Sequence, residues 1–238
     1  MSEGQASVPE SLVPAVVNLV ATGPVLLGAY TVAELTAVDA IVDFLEARPS
    51  DEVMAEAVRS LAARQLLVAG SGQGQVQVRG DLGIAVVFQQ RARMVLDARA
   101  AGTVPGEPWR ILLLPQPERI CLMVKIDALG IHELGLYKLE EAIRFLVSWL
   151  PRGPAADHHP SVDADRLLAA SERSALVTTT RYTTSGSAET AGASTDLILA
   201  RHDGRLHAFA PVPGDRGRLG PRPLDGEGVP DTILRLLS

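Results

Sequence analysis

The apolar positions of the chain first gather in a stretch from Leu12 to Tyr30, which Pro14, Asn18, Gly23, Pro24 and Gly28 interrupt. A membrane-spanning helix needs roughly 20 consecutive apolar residues, so this stretch predicts a buried helix or a pair of strands broken at Gly23-Pro24. From Thr31, Leu35, Val38, Ile41, Val42 and Leu45 recur at three- and four-residue spacing, with Glu34, Asp39, Asp43 and Glu46 between them. That period predicts one amphipathic helix capped by Thr31 and stopped by Pro49. Ser50 supplies a second cap, with Asp51 and Glu52 in the first turn where the helix dipole favours acids. The second helix is expected to bury Val53, Met54, Ala57, Val58 and Leu61 and to end near Gln65. Leu66-Leu67-Val68, the glycine-rich 70–74 and the alternating Val76-Gln77-Val78 then predict a short hairpin.

Beyond residue 80 the pattern runs twice through the same order. DLGIAVVFQQ, RARMVLDARA, the loop AGTVPGEP, WRILLLPQPERICLMVKID and EEAIRFLVSWL are answered by DADRLLAASE, RSALVTTTRYT, the loop TSGSAETAGAS, TDLILARHDGRLHAFAPV and PDTILRLL. Each series reads as helix, strand, loop, hairpin, further strand and closing helix. Ile111 to Leu197 and Ile120 to Leu206 share an offset of 86, which points to duplication. The predicted class is α+β: an antiparallel or mixed sheet formed by two quasi-repeated helix–β–β–β–helix units, behind an N-terminal helical, winged-helix-like lobe. The expected organisation is a lobe over 1–80, a first repeat over 81–150, a proline-rich linker over 151–162 and a second repeat over 163–238, the two repeats forming one continuous body.

Charge bears directly on the lobe. Two helices followed by a hairpin suit a winged-helix DNA-binding regulator, yet the first 100 residues carry 7 basic and 11 acidic side chains. The helix that would enter the groove sets Arg59 and Arg64 against Asp51, Glu52 and Glu56. Groove entry begins with phosphate neutralisation, and the whole chain carries a formal charge of −6, so nucleic acid is a disfavoured partner. The single cysteine, Cys121, excludes an internal disulfide and a multi-thiolate metal site. It lies in ICLMV, where an inert core thiol is expected. Met-Ser-Glu-Gly-Gln at the start has no basic region, which predicts a cytoplasmic protein without a leader.

Candidate chemistry is sparse. His202 and His207 flank Asp203-Gly204-Arg205 without an evident third metal ligand, and Asp157-His158-His159 sits among prolines. His132-Glu133 lacks the second histidine of a zincin helix, because position 136 is Leu. The glycines at 70–74 precede a strand rather than a helix and carry no Lys-Ser/Thr, so they do not form a phosphate cradle. The serines of GSG and TSGSAETAGAS lack a nucleophile elbow. Glu140-Glu141 and Asp163/Asp165 fall where helix first turns attract acids, and Trp109 and Trp149 bracket the first repeat as core residues. No catalytic, cofactor or metal residues are assigned, and a non-catalytic protein is expected.

RSLAARQLLV, the strand pair WRILLLPQPERICLMV, and STDLILARHDGRLHAFAP followed by GVPDTILRLL give the chain, over roughly 31–238, a resemblance to the EspG-type proteins of actinobacterial type VII (ESX) secretion. The resemblance implies an α+β body of two related halves. It also implies a cytosolic chaperone or adaptor that uses no cofactor and binds helical secretion substrates. A structural or assembly component of a larger complex and a winged-helix regulator are the alternatives. The loops over 100–108 and 183–194 hold matching positions in the two repeats and would form a paired rim. Partner-binding residues are accordingly expected at Tyr182, Thr183, Thr184, Ser185, Ser187 and Glu189.

Overall fold

A computed structural model describes residues 12–40, 49–70, 76–156, 163–185, 188–215, 217–224 and 228–237. In chain order these form α1 (Leu12–Thr22), β1 (Val25–Tyr30), α2 (Val32–Ala37), α3 (Asp51–Ala63), β2 (Leu67–Ala69), β3 (Val76–Val78), α4 (Gly80–Arg91), β4 (Met94–Ala101) and β5 (Arg110–Pro115). There follow β6 (Ile120–Ile126), β7 (His132–Lys138), α5 (Leu139–Trp149), α6 (Ala164–Ala170), β8 (Arg173–Ser185), β9 (Ala188–His202), β10 (Arg205–Pro211), β11 (Leu219–Pro221) and α7 (Gly228–Leu237). The fold is α+β, with a large antiparallel sheet and a separate two-stranded ribbon, β2-β3. The elements from α4 to α5 and from α6 to α7 each run helix, four strands, helix, which is the strand, hairpin and further strand read along each series and one strand more than a helix–β–β–β–helix unit holds. Contacts divide the chain into two compact units, Met1–Ala92 with Leu114–Lys138, and Arg93–Leu113 with Leu139–Ser238.

In the first unit the apolar stretch at the start resolves into a helix and a strand, α1 and β1, because Gly23 and Pro24 end the helix and the strand then pairs antiparallel with β7. Register shifts between Leu26 and Gly28, so Leu27 is an extra residue, and its side chain is fully buried. Gly28 sits at φ 103°, and a Cβ there would lie 3.0 Å from the Tyr30 hydroxyl, which donates to the Leu27 carbonyl at 2.7 Å. Strand order in this unit is β1-β7-β6. Val20, Leu27, Leu82, Phe88, Leu122 and Leu136 are among its buried apolar side chains.

Thr31 caps α2 as expected, in a capping box: its hydroxyl accepts from the Glu34 amide at 3.2 Å while the Glu34 carboxylate accepts from the Thr31 amide at 2.9 Å. The helix expected to run to Pro49 nevertheless stops at Ala37. Asp39 adopts the left-handed conformation at φ 54°, its amide bonds Thr36 O, and the Ala40 amide bonds Leu35 O at 2.9 Å. These are the two bonds of a Schellman stop, closed by the buried pair Leu35 and Ala40. Residues 41–48, which carry the rest of that expected helix, lie outside the described residues. Gln65, at φ 59°, ends α3 in the same way through Leu66 N to Leu61 O. Ser50 caps α3, and Ala57 and Leu61 are buried as expected, whereas Val53 and Val58 are 50% and 43% exposed. The helix packs along the narrower stripe that passes through Ala57 and Leu61.

Glu34 links the two helices, accepting from Ser60 Oγ at 2.8 Å and Arg64 Nη1 at 3.0 Å. Its burial raises the carboxyl pKa, but bonds from Thr31 and Ser60 and the charge of Arg64 outweigh that and hold it below the ordinary carboxylate range. Cys121 is wholly buried in β6, and desolvation pushes its thiol up to about 12, so it is the inert core residue that its apolar setting suggests.

In the second unit strand order is β5-β4-β8-β9-β10-β11. The antiparallel pairing of β4 with β8, from Met94↔Arg181 to Ala101↔Ser174, joins strands of the two successive series in one sheet. Asp97 and Arg110 form a nearly buried bidentate pair, Nε to Oδ1 and Nη2 to Oδ2, both at 2.9 Å. Trp149 is buried and donates Nε1–H to Pro108 O at 2.9 Å, and Arg173 donates to Trp149 O at 2.7 Å and to Glu107 at 2.8 Å. On one side of the sheet Ala164 and Leu167 of α6 pack with Ala200 and Phe209. The residues after α5 form a strap: Leu206 N bonds Pro154 O and Ala156 N bonds Leu206 O, both at 2.9 Å, giving a parallel bridge to β10. Gly153 is required there, because a Cβ would fall 2.8 Å from Gly204 O.

Candidate partner-binding surface

The segment expected to be a loop over 183–194 is instead mostly strand. β8 and β9 pair from Arg173↔Arg201 out to Ser185↔Ala188, and this is a correction to the sequence reading. Threonine is a good strand former because its branched Cβ packs on a pleated surface, and 178–184 contains five of them. The small Ala, Gly and Ser residues of 185–194 masked that signal by resembling a flexible linker.

The hairpin outruns its neighbours on both sides. β4 follows β8 only to Arg181, with one further bond from Tyr182 N to Arg93 O at 2.9 Å, and β10 follows β9 only from Ile198 to His202. Its outer part, Thr183–Ser185 with 188–190, is therefore a two-stranded arm among the described residues. Toward the base, Ala175, Val177, Thr179, Leu197 and Leu199 form a buried face. The opposite face passes from Leu176 and Ile198 to the polar rungs Thr178 Oγ1 to Asp196 Oδ1, 2.8 Å, and Thr180 Oγ1 with Ser194 Oγ, 3.4 Å. A bulge between Thr180 and Tyr182 resets the alternation, leaving Arg181 and Thr183 exposed and Tyr182 half-buried opposite Ala191.

Of the residues singled out from sequence, Tyr182, Thr183, Thr184 and Ser185 stand on β8 and Glu189 on β9, where Thr184 pairs with Glu189. They are brought together on the arm rather than on a loop. Ser187 lies outside the described residues, as do Asp157-His158-His159 and 71–74. Of the loop expected over 100–108 in the first series, 102–108 connects β4 to β5, while 100–101 belong to β4.

The remaining candidates are accounted for by structure. Asp203-Gly204, both at positive φ, make the two-residue turn between His202 and Arg205, and His207 pairs with Ala200. The two histidines are thus not opposite one another. His202 contacts Ala170 O at 3.2 Å, and His207 stacks on Phe209 with ring centroids 6.5 Å apart. His132 is buried on β7 with Nδ1 3.0 Å from Gly130 O, and Glu133 pairs with Lys125. Asp163 caps α6 through Arg166 N, and Glu140 and Glu141 lie in the first turn of α5. Among the described residues no three His, Cys, Asp or Glu side chains gather as a metal site, and no helix is long and apolar enough to cross a membrane. The sequence matches no protein-family model and no curated protein.

Proposed function

We propose that the chain is a non-catalytic, cytoplasmic, protein-binding chaperone or adaptor, similar to the EspG-type proteins of type VII secretion, that holds a helical secretion substrate at the β8–β9 arm. The observation that carries this reading is the arm itself. Unpaired strand edges are a template for another chain unless the protein covers them, and this hairpin extends past both neighbouring strands, with Thr183 exposed and Tyr182 half-buried at the start of the extension. A burial pattern shared by the two closing helices also supports the reading. Ala142, Ile143 and Leu146 of α5 and Thr232, Ile233 and Leu236 of α7 are buried at a common offset of 90, with Arg144-Phe145 and Leu234-Arg235 exposed between them. Two halves of one ancestral unit are what the resemblance implies.

A shortened arm tests the proposal. Thr183 and Thr190 are paired, so replacing 184–189 by Asn-Gly closes the hairpin on the turn that suits such a pair. Affinity purification from the native host with the full chain is expected to recover a helical secreted protein, and the shortened chain is expected to recover none while keeping its stability within about 0.5 kcal/mol. Equal recovery by both chains, or recovery of nothing from a secretion system, overturns the reading.

A further inference from the structure

The second unit contains a cavity of about 430 Å³ that no part of the proposed chaperone role uses. Its walls come from the end of α5 (Val147), the strap (Ala155), the floor of β10 (Leu206), Leu224 and the first residue positions of α7 (Val229). Among the described residues, every lining residue is apolar or glycine except Arg152. The volume falls in the range of small-molecule sites, and apolar walls with a single placed polar group are their ordinary composition.

Arg152 is held at the mouth. One Nη2–H donates to Ser148 O in the last turn of α5, and among the described residues no other group takes the remaining guanidinium N–H groups. No carboxylate pairs with it among the described residues. Gly228, at φ 74°, and Val229 open α7 at the same wall, where the first amides of a helix have no intrahelical acceptor. One guanidinium suits one carboxylate in a forked pair; a phosphate dianion would call for further cations, and the described lining residues supply none.

From this geometry we infer that the cavity is a binding site for a free medium-chain aliphatic carboxylate, its chain over Leu206 and its head on Arg152. The site is independent of the arm, so its test and the arm's test fail separately. Titration of the full chain with octanoate, octanol and octylammonium, followed by calorimetry, reads the head-group preference. Octanoate is expected to bind saturably and about tenfold more tightly than octanol, the difference a charge-assisted hydrogen bond provides, with octylammonium weakest. Arg152→Gln is expected to erase the octanoate preference and leave octanol binding unchanged. Ala155→Phe, which fills the cavity from the exposed strap, is expected to abolish both, with an unchanged thermal melt showing that the fold persists. Absence of saturable octanoate binding, equal binding of the three probes, or an octanoate preference that survives Arg152→Gln overturns the inference.

Discussion

The β6–β7 and β8–β9 hairpins are both antiparallel, yet they are built from opposite materials. In β6–β7, Cys121, Leu122, Met123, Val124, Leu134 and Leu136 are buried, and apolar side chains occupy both faces of β6. Its tip is closed by Asp127, whose Oδ1 accepts from Leu129 N at 2.8 Å and Ile131 N at 2.9 Å. In β8–β9 the buried face ends at Thr179 and Leu197, and what extends beyond is mostly threonine, serine, alanine and glycine, with Arg181, Tyr182 and Glu189 among them. The first hairpin is held by burial, at roughly 25 cal/mol for each Å² removed from water. The second is held at its base by burial, and toward its tip the backbone pairing continues without that buried face. The lesson is that strand content does not measure burial: one hairpin is part of the core along its length, and the other only at its base.

Several measurements sharpen or break that contrast, and the widest is kinetic. A Thr183→Cys variant carries one exposed thiol on the arm besides the buried Cys121. Labelling with a thiol reagent is expected to be biphasic, the introduced thiol reacting at once and Cys121 at least roughly a thousandfold more slowly, since it waits for unfolding. A single fast phase would show that β6 is not core. In urea unfolding, Leu122→Ala is expected to cost about 3 kcal/mol through lost transfer energy and a cavity. Val177→Ala, at the base of the arm, is expected to cost about 2 kcal/mol. Asp127→Ala removes the acceptor for two turn amides, and about 1 kcal/mol is expected. Thr180→Ala, on the exposed rung, is expected to fall within about 0.5 kcal/mol of the parent; a loss near that of Val177→Ala would make the arm structural.

Local signals were the legible part of this fold. Thr31 and Ser50 as caps, the break at Gly23-Pro24, the turn at Asp203-Gly204 and the apolar run around Cys121 each act within a few residues, and each was readable from residue type. The end of α2 was not, because an aspartate in the left-handed region looks in sequence like one more polar position on a helix, and only the bond from Ala40 to Leu35 distinguishes the two. Exposure of Val53 and Val58 likewise depends on which stripe of α3 meets its neighbour, a tertiary choice that periodicity does not encode. The element that carries Tyr182 to Glu189 was misread: they were placed on a loop because their composition is that of one, while their pairing is set by the register that Val177 and Leu197 impose further down. Arg152 and its cavity were invisible, since Pro151-Arg152-Gly153-Pro154 has the composition of a linker and acquires its role only by lying along β10.

That strap makes one amide unusually informative. The Leu206 N–H points at Pro154 O rather than into the β9–β10 ladder, so its exchange with solvent deuterium reports the opening of the strap and not of the hairpin. Its rate, followed residue by residue, is a clock for how often the wall of the cavity lifts away.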